Sequence, residues 1–441
     1  MSLAYEVQGL GITELAEQYG TPLYLYDGAE ITTRFQGLRG RLHPALEVFY
    51  SLKANPNISV CALLHRCGAR AEVSSLTELV TARRAGVDPR DIIFLGPGKS
   101  RTELAACLDE DIHAIVCESL DELALIDEVA REKFVTARVA LRVNPSFSVK
   151  GSGLTMGGKP RQFGIDEEQL LAEGPELASR YPAVRLMGVQ VYLGTRILGE
   201  DTVVENTRRI LDLAERVSGD LGFPLETVDV GGGLGIAYFD NEKDLDLDEL
   251  AAGLNPVVDA FAVRHPDTRM IMELGRFLVA ASGTYVTRVR YTKQSMGENF
   301  AVTDGGTNHH MAAVGIGSYV KRNFPIAALE RLDAPATESW HITGPLCTPN
   351  DVVGKKVPMP PLEAGELIGV QRSGAYGPTA SPVHFLSHGY PAEVLVLDGR
   401  AHLIRERDDV EVMLGRQRLY DAPGADDHRT QNRPNQQGEP A

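Results

Sequence analysis

An alternation of short apolar segments with longer amphipathic segments, between about residues 45 and 275, constrains the fold of this chain more than any other sequence feature. The short segments have the length and composition of buried strands, and the long segments have the length of helices. The pattern therefore predicts parallel βα units. Eight strands are expected, at residues 46–51, 71–74, 92–96, 114–118, 137–143, 186–192, 227–230 and 270–273.

Helix start signals follow three of these strands. Each has the pattern Ser-x-x-Glu, in which the serine side chain caps the first turn and the glutamate accepts a hydrogen bond from the backbone amide of the serine. Three such capping boxes directly after strands support the alternation. The pairs are Ser75 with Glu78, Ser100 with Glu103, and Ser119 with Glu122.

Eight parallel strands with helical connections predict a (β/α)8 barrel, with a doubly wound open sheet as the alternative. The barrel is favoured because chemically promising residues stand at the ends of separate strands, as they do at the mouth of a barrel. These residues are Lys53 after the first strand, Tyr192 at the end of the sixth, Gly231 to Gly233 after the seventh and Glu273 at the end of the eighth.

A second, mainly β domain is predicted after about residue 280, where β-branched residues alternate in GTYVTRVRY and a hairpin turn is expected at Asp398-Gly399. The N-terminal segments YEVQG and PLYLYD are assigned to the same domain. The predicted boundaries are a barrel at 28–278, a β domain formed by 1–27 and 279–420, and a disordered tail at 421–441.

Charge and cysteine content limit the class of protein. The formal net charge of −16 argues against non-specific binding to nucleic acid or to anionic membranes. No apolar run long enough to span a membrane and no secretory signal pattern are found, so a cytoplasmic protein is expected. Five cysteines without a CxxC pair favour reduced thiols, of which four lie in apolar segments and are expected in the core, while Cys347 lies in a turn-rich stretch.

Lys53 is the first candidate for chemistry. A lysine at a barrel mouth can have its pKa lowered enough to attack an aldehyde, and the alternative is a surface lysine in a βα loop. Three glycines in VDVGGGLG (228–235) expose backbone amides that can bind a phosphate, or form only a tight turn. A dinucleotide site is disfavoured because these glycines follow the seventh strand rather than the first.

The residues alone do not decide the function of three further segments. Glu273 and Arg276 in MELGRF suit a cofactor site or a structural salt bridge equally well. Cys347 in GPLCTPND is either catalytic or an incidental exposed thiol. His309 and His310 are adjacent, and adjacent side chains on an extended chain point to opposite faces, so no shared metal ion is expected.

Together these segments resemble the fold-type III pyridoxal-phosphate (PLP)-dependent decarboxylases, the family of the diaminopimelate, ornithine and arginine decarboxylases. The resemblance runs from about residue 20 to 415, and its motifs follow the family's order. It implies a PLP-binding (β/α)8 barrel with a β domain, usually in a head-to-tail homodimer whose active sites are shared across the interface. YSLKAN then carries the lysine that binds PLP as a Schiff base, which is Lys53, and the glycine loop assigns Gly232 and Gly233 to the phosphate.

The family's Glu-Pro-Gly-Arg segment is Glu-Leu-Gly-Arg at 273–276 here. By resemblance Glu273 keeps the pyridine nitrogen protonated, so that the ring accepts electrons as CO2 leaves, while Gly275 and Arg276 also contact the cofactor. GPLCTPND resembles the segment whose cysteine comes from the partner subunit and returns a proton to Cα, which implies a catalytic Cys347. GAYG places Tyr376 near the cofactor, and Arg276 and Tyr376 are also expected to contact the substrate.

Two departures from the family pattern are informative. The family histidine that stacks on the PLP ring is replaced by Tyr192, and the serine after it by Thr195. In the diamino-acid decarboxylases an acidic residue follows the catalytic cysteine and receives the distal ammonium of the substrate, whereas this chain has Thr348. A neutral hydroxyl leaves a buried ammonium unpaired, which is costly, so a free diamino acid is a poor substrate candidate.

Both departures, with MGGKPRQFG (156–164), GPLCTP and SPVHFL (381–386), resemble the subgroup that includes the glutamyl-carrier-protein decarboxylase of butirosin biosynthesis. The implied activity is PLP-dependent α-decarboxylation of an acidic amino acid, glutamate- or methylaspartate-like, tethered through its distal carboxyl to an acyl carrier protein in secondary-metabolite biosynthesis. The alternatives are a decarboxylase of free diaminopimelate or ornithine and an inactive PLP-binding regulatory homologue. Because carrier proteins are also acidic, docking needs a basic patch, for which Lys321 with Arg322, or Lys355 with Lys356, are candidates.

Overall fold

The computed structural model of the protein describes residues 3–148, 154–155, 157–314 and 322–420. The predicted tail at 421–441 and the candidate docking residue Lys321 lie outside the described residues. Within the described part of the chain, no helix is long and apolar enough to cross a membrane.

Eight parallel strands form a closed barrel, which confirms the predicted fold class. Each strand pairs with the next along the chain, and the eighth pairs with the first, so the sheet has no free edge. The open-sheet alternative is therefore wrong. The strands are β1 Leu46–Ser51, β2 Arg70–Val73, β3 Ile92–Phe94, β4 Ala114–Cys117, β5 Ala137–Asn144, β6 Val184–Gln190, β7 Thr227–Gly232 and β8 Arg269–Leu274.

Helices connect these strands and cover the outside of the barrel, as a parallel sheet requires. A helix at Gly28–Arg39 precedes β1. The connecting helices are Ile58–Arg66, Leu76–Arg84, Arg101–Asp109, Leu120–Glu132, Glu167–Glu173 with Glu176–Arg180, Glu200–Leu221 and Leu247–Arg264, and the short helix Arg276–Val279 follows β8.

The predicted helix starts are correct, but only one of the three capping boxes is complete. Ser100 and Glu103 exchange both hydrogen bonds. Ser75 and Ser119 cap their helices, yet the glutamate three residues later accepts from the amide one residue before the cap, that of Ser74 and of Glu118. Both of these caps have φ near −157°, against −77° at Ser100, and this turns the cap amide away from the glutamate.

The second sheet is mostly antiparallel and forms the β-rich C-terminal domain that was predicted. Its long central strand, Gly283–Ser295, pairs with the N-terminal strand Leu23–Asp27, as expected for PLYLYD. The hairpin at Asp398-Gly399 is present, with left-handed φ at both turn residues. The remaining strands of this sheet are Glu298–Thr303, Ile326–Ala328, Glu338–Thr343, Val352–Met359, Leu367–Gln371, Ala392–Leu397 and Arg400–Arg405.

Short elements complete the described structure. The expected strand in YEVQG is a two-residue strand, Glu6–Val7, that pairs with Leu10–Gly11 outside both large sheets and leads into the helix Ile12–Tyr19. The pairing of Leu23–Asp27 with the second sheet supports the division near residues 28 and 278, which stays a prediction. Other short elements are Leu154–Thr155, Ile165–Asp166, Gly194–Thr195 and the helix Val410–Leu414.

Two apolar layers stabilise the barrel. A small cluster that includes Phe49, Met187 and Ile271 fills its interior, and a much larger cluster packs the strands against the helices. All five cysteines are free, and three of the four that were expected in the core are buried. Cys67 is only half-buried, because it caps the C-terminus of the helix Ile58–Arg66, and Cys347 is exposed.

Candidate active site

Lys53 lies at the carboxyl end of the barrel, in a single 3-10 turn, Leu52–Ala54, that follows β1. Its Nζ donates to Oε2 of Glu72, which stands near the end of the neighbouring strand β2, at 2.7 Å. The Glu72 side chain is 1% exposed, whereas that of Lys53 is 39% exposed. The lysine is therefore anchored on a buried carboxylate while its side chain still reaches the mouth of the barrel.

The charges of this pair stabilise each other. Burial opposes the charge on Lys53, but the carboxylates of Glu72 and Glu273 outweigh it and raise the pKa of Lys53 above its usual value. Burial likewise opposes the charge on Glu72, yet Lys53 and the hydroxyls of Ser51 and Ser74 hold the pKa of Glu72 below its usual range. The expectation of a lowered lysine pKa was wrong, because the sequence did not reveal that carboxylates surround the amine.

Three polar side chains from adjacent strands form a buried row beside this pair. They are Gln190 at the end of β6, Asp229 in β7 and Glu273 in β8, each no more than 2% exposed. Nε2 of Gln190 donates to Oε1 of Glu273 at 3.1 Å, and Oδ1 of Asp229 accepts from the amide of Gly231 at 2.9 Å. Burial and then the neighbouring carboxylate raise the pKa of Asp229 well above its usual range.

Glycines bring the backbone close to the site at two places. Gly233 has φ +93°, and a Cβ there would lie 2.1 Å from the carbonyl oxygen of Gly194, so only glycine fits beside Gly232 in this loop. A Cβ on Gly275 would lie 2.8 Å from that of Ala54. Gly275 thus allows the turn after β8 to pack directly on the Lys53 turn.

Arg276 and Tyr376 meet beside the lysine turn. The guanidinium of Arg276 lies over the ring of Tyr376, 4.5 Å from its centroid, and donates to the hydroxyl of Tyr238 at 3.0 Å. The amide of Tyr376 donates to the carbonyl of Ala54 at 2.7 Å. The GAYG segment of the second domain is therefore fixed against the mouth of the barrel.

Tyr192 lies on another side of Lys53, with the lysine Nζ 5.9 Å from the centroid of its ring. Burial raises the pKa of Tyr192 to about 12, and the charge of Lys53 and the nearby hydroxyl of Thr195 oppose the shift. The structure therefore brings Tyr192 and Thr195 to the same end of the barrel as Lys53, Glu273, Arg276 and Tyr376.

Cys347 and Thr348 lie elsewhere, in the loop between the strands Glu338–Thr343 and Val352–Met359 of the second domain. Cys347 is exposed and Thr348 is half-buried. Within the described residues, no hydrogen bond, ion pair or ring contact joins either residue to the Lys53 cluster. The single chain therefore brings together all the predicted site residues except these two.

The adjacent histidines His309 and His310 have structural partners. Nε2 of His309 contacts the carbonyl of Gly389 at 3.0 Å, and Nε2 of His310 contacts the hydroxyl of Ser373 at 2.7 Å. Both are buried, and burial lowers the pKa of His309 to about 4 and that of His310 to about 3. Among the described residues, no group of histidine, cysteine, aspartate and glutamate is arranged to hold a metal ion.

Four site residues were missed from the sequence: Glu72, Gln190, Asp229 and Tyr238. The first three are polar residues in segments that otherwise read as buried barrel strands, and a buried polar group near the carboxyl end of a barrel strand is itself a signal of function. Tyr238 had no such signal, because it lies in a loop and its hydrogen bond to Arg276 joins residues that are distant in sequence.

Comparison with known proteins agrees with this geometry. Residues 28–280 match the family described as pyridoxal-dependent decarboxylase, pyridoxal binding domain. The chain is 41% identical over 406 residues to the L-glutamyl-[BtrI acyl-carrier protein] decarboxylase of Niallia circulans, covering 90% of this chain and 95% of that protein. It is 31% identical over 409 residues to the diaminopimelate decarboxylase of Aquifex aeolicus, covering 92% and 94%.

A solved structure supports the same assignment. The diaminopimelate decarboxylase of Helicobacter pylori, complexed with L-lysine, superposes with a TM-score of 0.82 at 28% identity, covering 91% of this chain and 98% of that one. The lysine/ornithine decarboxylase of Vibrio vulnificus, at 22% identity and a TM-score of 0.74, shares the fold.

The residues at the barrel mouth fit the cofactor of this family. Lys53 supplies an amine for an aldehyde, and the loop at Gly232 and Gly233 with Arg276 suits a phosphate. Oε2 of Glu273 is buried and accepts no hydrogen bond from any described donor, as expected of an acceptor for a pyridine nitrogen. The chain belongs to the fold-type III pyridoxal-phosphate-dependent decarboxylases, the carboxy-lyase family of the ornithine, arginine and diaminopimelate decarboxylases.

Proposed function

We propose that this enzyme removes the α-carboxyl group of an acidic amino acid, glutamate- or methylaspartate-like, that is tethered through its distal carboxyl to an acyl carrier protein. The observation that carries the proposal is the loop that contains Cys347 and Thr348. In this loop the residue after the cysteine is neutral, so a substrate with a neutral thioester at its distal end suits it better than one with a distal ammonium.

The one acidic residue of this loop is already occupied. Asp351 is 3% exposed, and its Oδ1 accepts from the amide and the hydroxyl of Thr307 at 2.7 and 3.0 Å. Its other oxygen accepts from the amide of Leu346 at 2.8 Å. Asp351 therefore holds the loop in shape, and the segment 344–351 offers no exposed carboxylate for a distal ammonium.

The similarity to the Niallia circulans enzyme also supports a carrier-bound substrate, because that relative acts on a glutamyl group held by an acyl carrier protein. The diaminopimelate decarboxylases match over the same length at lower identity. They support the second candidate, decarboxylation of a free amino acid.

We assign the barrel residues as follows. PLP, when bound, supplies the electron sink for loss of the α-carboxyl group. Lys53 would hold the cofactor covalently, and Glu72, whose Oε2 accepts from the lysine Nζ at 2.7 Å, would position the amine and exchange a proton with it. Glu273 would accept a hydrogen bond from the pyridine nitrogen, and the loop at Gly232 and Gly233 would hold the phosphate together with Arg276.

Tyr192 would stack on the cofactor ring, with Thr195 beside it at the same end of the barrel. Gly275 allows the close approach described above, and Tyr376 and Arg276 face the substrate. Cys347 protonates Cα after CO2 has left, and it comes from the partner subunit of a homodimer. Among the described residues, no hydrogen bond, ion pair or ring contact joins Cys347 or Thr348 to the barrel mouth of the same chain, which supports this arrangement.

A basic surface for docking of the carrier protein is formed by the segments of Arg322 and Lys355, which the sequence offered as two alternative docking sites. Arg322 and Lys355 are both exposed, and neither makes an ion pair among the described residues. Asn323 joins them, because its side chain donates to the carbonyl of Lys355 at 2.7 Å and accepts from the amide of Lys355 at 2.8 Å. The two cations therefore belong to one surface.

This surface lies next to the barrel mouth. The guanidinium of Arg322 lies 4.5 Å from the ring centroid of Phe239, and the preceding residue, Tyr238, hydrogen-bonds Arg276. Lys356 is less available, because it pairs with Glu298 at 3.1 Å. Charge complementarity with an acidic carrier therefore favours Arg322 and Lys355 as docking residues.

The proposal is tested by measuring CO2 release from the purified holoenzyme with glutamate, aspartate and methylaspartate supplied free or loaded on a carrier protein, alongside free diaminopimelate and ornithine. Turnover of a carrier-bound substrate at least about a hundredfold above any free amino acid is expected. Efficient turnover of diaminopimelate or ornithine, with none of the thioester, would overturn it.

The Thr348→Asp variant tests the loop directly. An added carboxylate can pair with a distal ammonium, so kcat/KM for free ornithine or diaminopimelate should rise about tenfold or more, while kcat/KM for the carrier-bound substrate falls. Thr348→Asn, which is similar in size but neutral, is the matched control and should not produce the gain.

A further inference from the structure

Asp229 and Glu273 are two acids in contact inside the barrel. Both are 2% exposed, and they stand on the neighbouring parallel strands β7 and β8, with the register displaced between Asp229 and Gly232. Asp229 pairs with Ile271, and Glu273 stands two residues further along β8 on the same face, so the two side chains are diagonal neighbours inside the barrel. Gln190 of β6, which is fully buried, donates a hydrogen bond to Oε1 of Glu273.

Each of the two acids has a carboxyl oxygen that lacks a hydrogen-bond partner unless a proton is added to the pair. Oδ2 of Asp229 and Oε2 of Glu273 are both buried, and neither accepts from a donor among the described residues. Ionised carboxylates are acceptors only, so two of them in contact repel each other and leave both oxygens unsatisfied. One proton between them removes the repulsion and supplies the missing hydrogen bond.

The surroundings decide which acid carries the proton. Burial and the charge of Glu72 raise the pKa of Glu273, but Lys53 and Arg142 of β5 oppose this rise. The charged groups that act on Asp229 are both carboxylates, Glu273 and Glu72, so its pKa is raised without an opposing cation. Oδ1 of Asp229 already accepts from the amide of Gly231, which leaves Oδ2 to donate. Burial and the Glu273 charge raise the pKa of Asp229 well above its usual range, which agrees with this assignment.

We propose that Asp229 is a positioning residue that stays protonated and donates a hydrogen bond to Glu273, so that Glu273 remains an ionised acceptor for the cofactor's pyridine nitrogen. An ionised carboxylate has lone pairs for Gln190, Asp229 and one further donor. The proton stays on Asp229, and the reaction consumes and releases none through this residue. The inference depends on the family's use of PLP and not on the identity of the amino acid or on a carrier protein.

Infrared spectroscopy of the full-length holoenzyme at neutral pH tests where the proton lies. A protonated-carboxyl band should move when all aspartates carry ¹³C in their side chains, should not move in the same way when only glutamates are labelled, and should be missing from Asp229→Asn. A wild-type protein without any band that follows the aspartate label, or a band lost in Asp229→Asn that follows the glutamate label, would overturn the proposal.

Cofactor binding provides the second measurement. Asparagine keeps both an acceptor for the amide of Gly231 and a donor for Glu273, so Asp229→Asn should hold PLP within about threefold of the wild-type affinity. Asp229→Leu removes the donor and should weaken PLP binding about tenfold or more, the scale of a hydrogen bond to a charged group. Equal weakening in both variants contradicts a donor role, and the infrared result on wild-type protein stands even if Asp229→Leu does not fold.

Discussion

The mouth of the barrel and the Cys347 loop carry different parts of the same proposed site, and they are built in opposite ways. At the barrel mouth, Glu72, Asp229 and Glu273 are almost fully buried, and each accepts a hydrogen bond from a neighbouring residue. The Cys347 loop is held by its own Asp351 and presents an exposed thiol. One chain therefore assembles the proposed cofactor site, whereas the loop proposed for substrate choice and reprotonation has a half-buried Thr348 and an exposed Cys347.

This difference indicates how specificity can change within one fold. The cofactor residues depend on each other through buried hydrogen bonds and charges, so a substitution there disturbs several partners at once. The loop residues Thr348 and Cys347 have few partners, so the loop can vary without disturbing the barrel. Substitutions in the two regions should therefore differ in their effects.

The largest effect is expected for Lys53→Ala. Removing the covalent anchor should lower kcat by at least about 10³-fold and abolish the visible absorption of the bound cofactor, because the amine is the only group assigned to that bond. Lys133→Ala, which removes an ion pair with Asp109 on the outside of the barrel, is the control. Unchanged cofactor absorption in Lys53→Ala would mean that another residue binds the cofactor covalently. Wild-type protein without decarboxylase activity would favour the alternative of an inactive, PLP-binding regulatory homologue.

The next largest effect is expected for Cys347 and tests whether the active site is formed by one subunit or shared by two. Cys347→Ala alone should lower the rate about 10²-fold, the usual contribution of a positioned general acid. Mixing equal amounts of Cys347→Ala and Lys53→Ala subunits, after dissociation and reassociation, should restore about a quarter of wild-type activity, because half of the dimers are mixed and each regains one of its two sites. No recovery in mixtures that sedimentation shows to be mixed dimers would mean that the site is not shared.

A smaller effect is expected for Glu72→Gln. Attachment of PLP to the apoenzyme needs the neutral amine, and Glu72 raises the pKa of Lys53, so the attachment rate should increase with pH through the neutral range. Glu72→Gln lowers the lysine pKa and should move this rise to lower pH by about one unit or more. Rapid-mixing absorbance measures the profile, and Glu103→Gln on a neighbouring helix should leave it in place.

The smallest effect is expected on the basic surface. Arg322→Glu combined with Lys355→Glu should raise KM for a carrier-bound substrate about fivefold without changing kcat, since exposed charges contribute little each. High salt should reduce the difference between wild type and variant. Arg400→Glu, an exposed cation at the hairpin of the second domain, is the matched control, and an equal effect there would exclude a specific docking site.

Much of the fold was predictable because it depends on local patterns. Residues 46–51 and 270–273 were read as strands from their apolar composition, and the structure has them at Leu46–Ser51 and Arg269–Leu274. The serine caps were also predictable, because a cap involves residues three apart. The return bonds of Glu78 and Glu122 were not, because they depend on the backbone angles that the preceding strand imposes.

The candidate site also has a part that local sequence patterns predict and a part that depends on contacts between distant residues. Lys53 and Glu273 could be selected from their positions after strands, and resemblance supplied their expected roles. The protonation state of Lys53 could not be predicted from the sequence. Its pKa depends on Glu72, which lies on another strand, and on Glu273, which is about 220 residues away.

The sequence by itself determined the βα periodicity, the two-domain pattern and the residue types at the strand ends, because these depend on the order of apolar and polar residues along the chain. Only the tertiary structure decided that the sheet closes, that Asp229 and Glu273 are buried on paired strands, and that Asn323 links the segments of Arg322 and Lys355. Closure and these contacts join residues far apart in sequence, and their energies depend on distance and burial, which no linear pattern encodes.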